Sequence, residues 1–171
     1  MLPTPSPFAR LGAPAVYVDG SALAQCLPGA PFCDTWLEWA QDRRLVTNQV
    51  GITELQGVAS SRGAAAREAA DELEASIEVL RFTPKALQTA SHVSTALSSF
   101  VALHIGTAVA EPDVDTVATY QLDLARVAAL YRLTVVSPDG PTAGGRKSPD
   151  VRCLVPSAHR EGWLSGRRRR S

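Results

Sequence analysis

The chain has 171 residues, of which 45% are hydrophobic, and it carries 17 basic and 17 acidic side chains. This length allows one domain with a substantial buried core. No apolar run approaches the roughly 20 residues of a membrane-spanning helix, and the N-terminal region lacks the apolar stretch of a signal peptide. We therefore expect a globular protein of the cytoplasm that has no contact with a membrane.

Charge divides the chain into two parts. Residues 1–139 carry 9 basic and 15 acidic side chains, whereas residues 140–171 carry 8 and 2. We expect a flexible lead-in over 1–14, a domain over 15–139, and a basic extension rich in Gly, Pro and Arg over 140–171. The run "RRRR" at 167–170 has three interpretations: a solvated end, a contact with RNA phosphates, or a segment folded over the acidic domain.

Cysteine and histidine are few and scattered. The three cysteines match neither CxxC nor a zinc-finger spacing, and no two histidines have the i, i+4 spacing of a zinc helix. We expect reduced thiols and no metal site built from these residues.

Short apolar strands alternate with helices along the domain. The strands are predicted at 15–18, 45–48, 78–82, 115–120 and 133–138. The helix after the second strand is expected to end at Gly63, and a later helix to begin with Thr83 as its cap and Pro84 as its first residue. This alternation predicts an α/β fold with a mainly parallel sheet of four to five strands flanked by helices.

Another predicted helix, in "PFCDTWLEWAQDRR", has Asp34 near its N-cap. It carries Trp36 and Trp39 at helical spacing. The two indoles are expected in core or dimer packing, or alternatively as a stacking surface for bases.

Carboxylates follow three of the strands. Asp19 ends the first strand, Glu54 lies early in the helix after the second, and Asp123 follows "TVATY" at the start of a helix. In a parallel sheet these positions meet at one edge, where ligands bind, and carboxylate oxygens suit Mg²⁺ or Mn²⁺. Each acid also has a structural interpretation: a helix cap for Asp19, a surface acid for Glu54 and a partner of the helix dipole for Asp123.

A metal held by carboxylates suggests phosphodiester hydrolysis, because the ion activates water and stabilises charge on the phosphate. The chain contains no GxxxxGK[ST] loop, no GxGxxG fingerprint and no GxSxG elbow. The commonest nucleotide-binding and esterase functions are therefore not expected.

Four blocks, in order, resemble the PIN domains of VapC-type toxins. They are "VYVDGSALAQCL", "LVTNQVGITELQGV", "SSFVALHIGTAVAE" and "DVDTVATYQLDLARVAALYRLTVVSP". The resemblance implies a PIN-like fold and a metal-dependent ribonuclease that cuts single-stranded regions of RNA. It also implies a small antitoxin as the partner and a homodimer.

By position, Asp19 and Glu54 match the first two acids of that family, and Ser21 matches a hydroxyl residue that supports the site. Two other acids are replaced, since Val101 and Gln121 stand where the third and fourth blocks usually have Asp. Asp123 is the best candidate for a substitute.

Asp113 and Asp115 are expected before their strand and so at the opposite edge of the sheet, about 13 Å away for a four-residue strand. They are therefore excluded as ligands. The remaining acids suit one hydrated Mg²⁺ better than two metal ions.

His104 lies one turn beyond Val101. It is either a weak candidate for contact with a phosphate or base, or a satisfied histidine at the edge of the core.

Two functions remain open. The first is a metal-dependent endoribonuclease toxin of a toxin–antitoxin pair, with activity reduced by the missing acids. The second is a catalytically impaired PIN domain that binds its antitoxin or RNA without cutting; a small-metabolite phosphatase has only the same acids in its favour.

Overall fold

A computed structural model describes residues 14–139, so the predicted basic extension and all but the last residue of the lead-in lie outside the described residues. Five parallel strands form one sheet in the order β3-β2-β1-β4-β5. The strands are β1 (Ala15–Val18), β2 (Arg44–Asn48), β3 (Glu78–Leu80), β4 (Val114–Ala118) and β5 (Thr134–Val136). The predicted α/β fold is confirmed.

The central strand, β1, consists of the four residues "AVYV", all of which are buried. A continuous apolar run of this kind is typical of a parallel strand covered by helices on both faces. Because β1 pairs with β2 on one side and β4 on the other, the residue that follows it emerges in the middle of the sheet's carboxyl edge.

Seven helices in the described part of the chain connect the strands. They are α1 (Gly20–Leu23), α2 (Cys33–Ala40), α3 (Gln49–Arg62), α4 (Ala64–Ser76), α5 (Pro84–Val93), α6 (Ser99–Ala110) and α7 (Leu122–Leu130), and a 3₁₀ turn, Ala24–Cys26, follows α1. The predicted start of α5 is confirmed, since the Thr83 side chain accepts from the Ala86 N–H and Pro84 comes first. Gly63 ends α3 as predicted, with a φ of 101° that favours glycine.

Apolar side chains pack on both faces of the sheet. One cluster includes Val16, Leu55 and Trp36, and the other includes Tyr17, Val101 and Leu124. Trp36 is fully buried, so it packs in the core and offers no stacking surface for a base.

Several boundaries differ from the predictions. Strand β4 ends at Ala118, so Thr119 and Tyr120 lie beyond it, and Asp115 lies inside β4 rather than before it. Phe32 occupies the N-cap of α2, and Asp34 lies in its first turn, near the N-cap as predicted. Asp113 forms an ion pair at 3.2 Å with Arg44, the first residue of β2, in agreement with its predicted place at the edge of the sheet opposite Asp19. Within residues 14–139, no helix has the length and apolar content that crossing a bilayer requires.

Candidate active site at the carboxyl edge of the sheet

Asp19 is the first residue after β1 and the N-cap of α1. Its Oδ1 accepts hydrogen bonds from the Ala22 N–H at 3.0 Å and from the Ser21 hydroxyl at 2.7 Å. The side chain is fully buried. The helix-cap interpretation of Asp19 is thus correct, and it coexists with the predicted position at the ligand-binding edge.

Thr119 completes the surroundings of Asp19, and the sequence analysis did not identify it. Its Oγ1 donates to Asp19 Oδ2 at 2.6 Å and accepts from the Gln121 N–H at 3.0 Å. Thr119 follows β4, the neighbour of β1, so it reaches the same edge. Thr119 was predicted inside the strand at 115–120, whereas the strand ends at Ala118 and leaves Thr119 at the ligand-binding edge.

Ser21 links the two strand ends. Its hydroxyl donates to Asp19 Oδ1 and accepts from the Tyr120 N–H at 2.9 Å. This contact with Asp19 is the one that a supporting role requires, and the role itself stays a prediction.

Burial raises the pKa of Asp19 above its ordinary value of 3.8. Other interactions lower the pKa of Asp19 but do not cancel the cost of desolvation. They are the hydrogen bonds from Thr119, Ser21 and the Ala22 N–H, and the nearby His104. A bound cation would reduce that cost.

Glu54 lies on the second turn of α3, with its side chain 26% exposed. Its Oε2 accepts from the Gly20 N–H at 3.1 Å and lies 3.0 Å from His104 Nε2. Position 20 requires glycine, because a Cβ there would collide with the Glu54 side chain. The two predicted acids therefore meet around one peptide segment, Asp19–Gly20.

His104 lies behind Glu54, away from solvent. It has no exposed surface, and its Nδ1 is 2.8 Å from the Tyr17 hydroxyl. The predicted direct contact of His104 with a phosphate or base conflicts with this burial, because both ring nitrogens face protein atoms. The alternative, a satisfied histidine at the edge of the core, describes what the structure shows.

Asp123 does not join the other two acids. It lies in the first turn of α7 with its side chain 71% exposed, and its Oδ1 is 3.7 Å from Arg126 Nη1. Among residues 14–139, no group of three or more His, Cys, Asp or Glu side chains is arranged to share a metal ion. Asp123 is therefore not brought together with Asp19 and Glu54, its predicted role as a substitute stays a prediction, and its place near the start of α7 fits the helix-dipole interpretation.

A shallow groove of about 460 Å³ opens beside Glu54. Its lining residues come from the α1 start, one face of α3 and the start of α7: Gly20, Ser21, Glu54, Gly57, Val58, Ser61 and Gln121. Gln121 therefore faces the groove, whereas Val101 packs in the core and is only 8% exposed. Glu54 is the single carboxylate that this groove presents among the described residues.

Asp19 and Glu54 keep carboxylate oxygens that could bind a divalent cation. Asp19 Oδ2 accepts one hydrogen bond, from Thr119, and all contacts found for Glu54 within the described residues fall on Oε2. Mg²⁺ often takes one or two protein carboxylates and keeps several waters. The residues present fit one hydrated ion and do not fit a pair of metals.

Comparison with known protein families matches residues 16–130 to the PIN domain. No curated protein and no solved structure gives a significant match. PIN domains are generally nuclease domains and typically use divalent metal ions. The match spans about two thirds of the chain. The five-stranded parallel sheet flanked by helices agrees with the α/β fold of PIN domains. The chain belongs to the PIN domain family.

Proposed function

We propose that the chain is a metal-dependent endoribonuclease, the toxin of a toxin–antitoxin pair, which hydrolyses phosphodiester bonds in RNA. The observation that carries the proposal is the meeting of Asp19 and Glu54 around Gly20, at the edge of the sheet where a groove opens. Membership of a nuclease family supports the reaction class, and such domains often bind RNA and partner with antitoxins.

Asp19 and Glu54 would hold one Mg²⁺ or Mn²⁺. When bound, this ion supplies Lewis-acid chemistry: it lowers the pKa of water and stabilises negative charge on a phosphate. Asp123 is not part of the proposed set, because it pairs with Arg126 on the exposed side of α7.

The chain's own residues orient these acids and shape the groove. Thr119 and Ser21 fix the Asp19 carboxylate through hydrogen bonds of 2.6 and 2.7 Å. Gln121 adds a neutral side-chain amide to the groove, which can donate to phosphate and sugar oxygens. Ser61 adds a hydroxyl that donates to the Val58 carbonyl at 2.7 Å and can accept from a ligand. A groove with one exposed carboxylate also repels a phosphate backbone less than one with four.

A second function, binding of RNA or an antitoxin without cleavage, is favoured by one feature of Asp19. Its carboxylate has no exposed surface and already accepts three hydrogen bonds. An ion at Asp19 would meet a carboxylate that Thr119 and Ser21 already stabilise. The absence of acids at Val101 and Gln121 points in the same direction.

We also propose a homodimer, as the family resemblance implies. Large apolar side chains are exposed on the outer helices, which supports a surface for a partner; they are Leu87, Phe100, Leu122 and Leu130.

Cleavage of a structured RNA with single-stranded loops tests the proposal, using the full chain with Mg²⁺, Mn²⁺ or EDTA. We expect metal-dependent cutting by the wild type and its loss in Asp19→Asn and Glu54→Gln. Asp123→Asn is the matched control, since it removes an exposed carboxylate outside the groove, and it should cut like the wild type.

The second function predicts a different pattern. The wild type would retain RNA, or its antitoxin, yet would neither cut nor bind Mn²⁺ in calorimetry. That result would overturn the nuclease proposal.

A further inference from the structure

A buried chain of three side chains connects the centre of the sheet to the groove. The Tyr17 hydroxyl lies 2.8 Å from His104 Nδ1, and His104 Nε2 lies 3.0 Å from Glu54 Oε2. The three residues come from β1, α6 and α3. Tyr17 and His104 are fully buried, and Glu54 alone reaches solvent.

The donors in this chain have a defined order. A carboxylate oxygen accepts hydrogen bonds, so in the arrangement that joins all three side chains His104 Nε2 donates to Glu54 Oε2. In the neutral ring Nδ1 is then an acceptor, and the Tyr17 hydroxyl donates to it. Burial, followed by the charges of Asp19 and Glu54, raises the pKa of Tyr17 well above 10, which keeps its hydroxyl protonated.

A second contact fixes the same oxygen from the other side. The Gly20 N–H donates to Glu54 Oε2 at 3.1 Å, and the missing side chain at position 20 provides the space that Glu54 occupies. With Oε2 held by Gly20 and His104, Oε1 is the oxygen left for a ligand in the groove.

We propose that Tyr17 and His104 are positioning residues for Glu54, which set its carboxylate relative to Asp19 and leave Oε1 to act on the ligand. The geometry gives the reason: Tyr17 and Asp19 are two residues apart along the same extended segment, so they project toward the same side. One segment thereby places Asp19 directly and Glu54 through His104. The effect on metal binding rests on the proposed function, whereas the effect on the Glu54 carboxylate does not.

Two substitutions of similar size distinguish a positioning role of His104 from a role in core packing alone. His104→Gln keeps an N–H near the place of Nε2, and His104→Leu removes every donor. Partners that orient a metal ligand typically contribute about 10–100-fold to metal affinity. We expect His104→Leu to weaken Mn²⁺ binding by about that factor in calorimetry, and His104→Gln to stay within a few-fold of the wild type.

Carbon-13 NMR of the Glu54 carboxyl group provides a readout without metal. The signal should shift and broaden in His104→Leu and stay close to the wild type in His104→Gln. His92→Gln, on the exposed part of α5, is the control for loss of a histidine elsewhere. Should His104→Leu fail to fold, Tyr17→Phe and Gly20→Ala perturb Glu54 from its two sides.

The outcomes separate the two proposals. A wild type that binds no Mn²⁺ ends the metal-dependent function, yet a Glu54 signal changed by His104→Leu and kept by His104→Gln still supports positioning. An unchanged Glu54 signal in folded His104→Leu, or in Tyr17→Phe and Gly20→Ala together, would overturn the positioning role.

Discussion

Thr119 and Asp19 are 100 residues apart in the chain, yet Thr119 Oγ1 donates a 2.6 Å hydrogen bond to Asp19 Oδ2. The contact exists because β1 and β4 are adjacent and parallel, so the residues just after them meet. Ser21 and the Ala22 N–H both donate to Oδ1, and Thr119 donates to the other carboxylate oxygen, Oδ2.

Removal of this hydroxyl should destabilise the domain. Thr119→Val leaves Asp19 Oδ2 buried without a donor, which typically costs about 1–3 kcal/mol. We expect a lower urea midpoint with an unchanged m-value. Thr119→Ser keeps the hydroxyl and loses only the methyl, so it should lie closer to the wild type; a Thr119→Val variant as stable as the wild type would contradict the contribution of the hydrogen bond.

The Asp19→Asn variant should gain stability relative to the wild type as pH rises. Burial raises the folded pKa of Asp19 above its ordinary value of 3.8. The stability that Asp19 contributes is then fully present below its unfolded pKa and is lost as pH rises through its folded pKa. Asparagine is also a good N-cap.

Thermal unfolding from pH 4 to pH 8 measures this difference. The Tm of Asp19→Asn minus that of the wild type should increase with pH, by about 2–4 °C for each kcal/mol. Saturating Mg²⁺ should narrow the gap if the ion binds Asp19. A difference that falls with rising pH would contradict the assigned direction of the pKa change.

Gln121→Asp restores an acid in the groove. Because Gln121 lines the groove beside Glu54, the new carboxylate should raise Mn²⁺ affinity by at least about tenfold, or 1.4 kcal/mol, and should raise RNA cleavage. Gln121→Asn is the control of matched shape. Equal affinities in the two variants would show that position 121 does not contribute to the metal site.

Val101→Asp is expected to behave differently, because Val101 is only 8% exposed and packs beside Tyr17 in the core. Burial of an unpaired carboxylate is costly, so a lower Tm should accompany any gain in metal binding. Calorimetry of the folded fraction and thermal unfolding together measure both effects.

The thiol of Cys26 should be unreactive in the folded protein. Burial is the main cause that raises its pKa to about 12, with Cys33 a smaller one. Cys26 is half-buried and its thiolate would be scarce at pH 8, so alkylation by iodoacetamide should be markedly slower in the folded protein than in urea. Peptide mass spectrometry identifies the modified residue, and equal rates in both conditions would contradict the burial.

The edge position of Asp19 and Glu54 was predictable because it depends only on strand order and parallel pairing. The separation of Asp123 from these two acids has a simple geometric cause. Gln121 is the extended N-cap of α7 and lines the groove, whereas Asp123 lies in the first turn of the helix with its exposed carboxylate beside Arg126. An acid shifted by two positions thus leaves the groove that Gln121 lines.

The partners of His104 could not be read from the sequence. The spacing placed His104 one turn beyond Val101, but Tyr17 and Glu54 are 87 and 50 residues away. Contacts of this range depend on how α3 and α6 pack against the sheet, which local periodicity does not determine.

The position of β1 has a consequence for amide hydrogen exchange. This strand is paired on both sides and fully buried, so its amides should exchange only through global unfolding, unlike those of frayed edges. Because Asp19 follows β1 directly and Glu54 is linked to it through Tyr17, the acidic pair should persist until the whole domain opens. The site is then assembled by folding itself, before any ligand arrives.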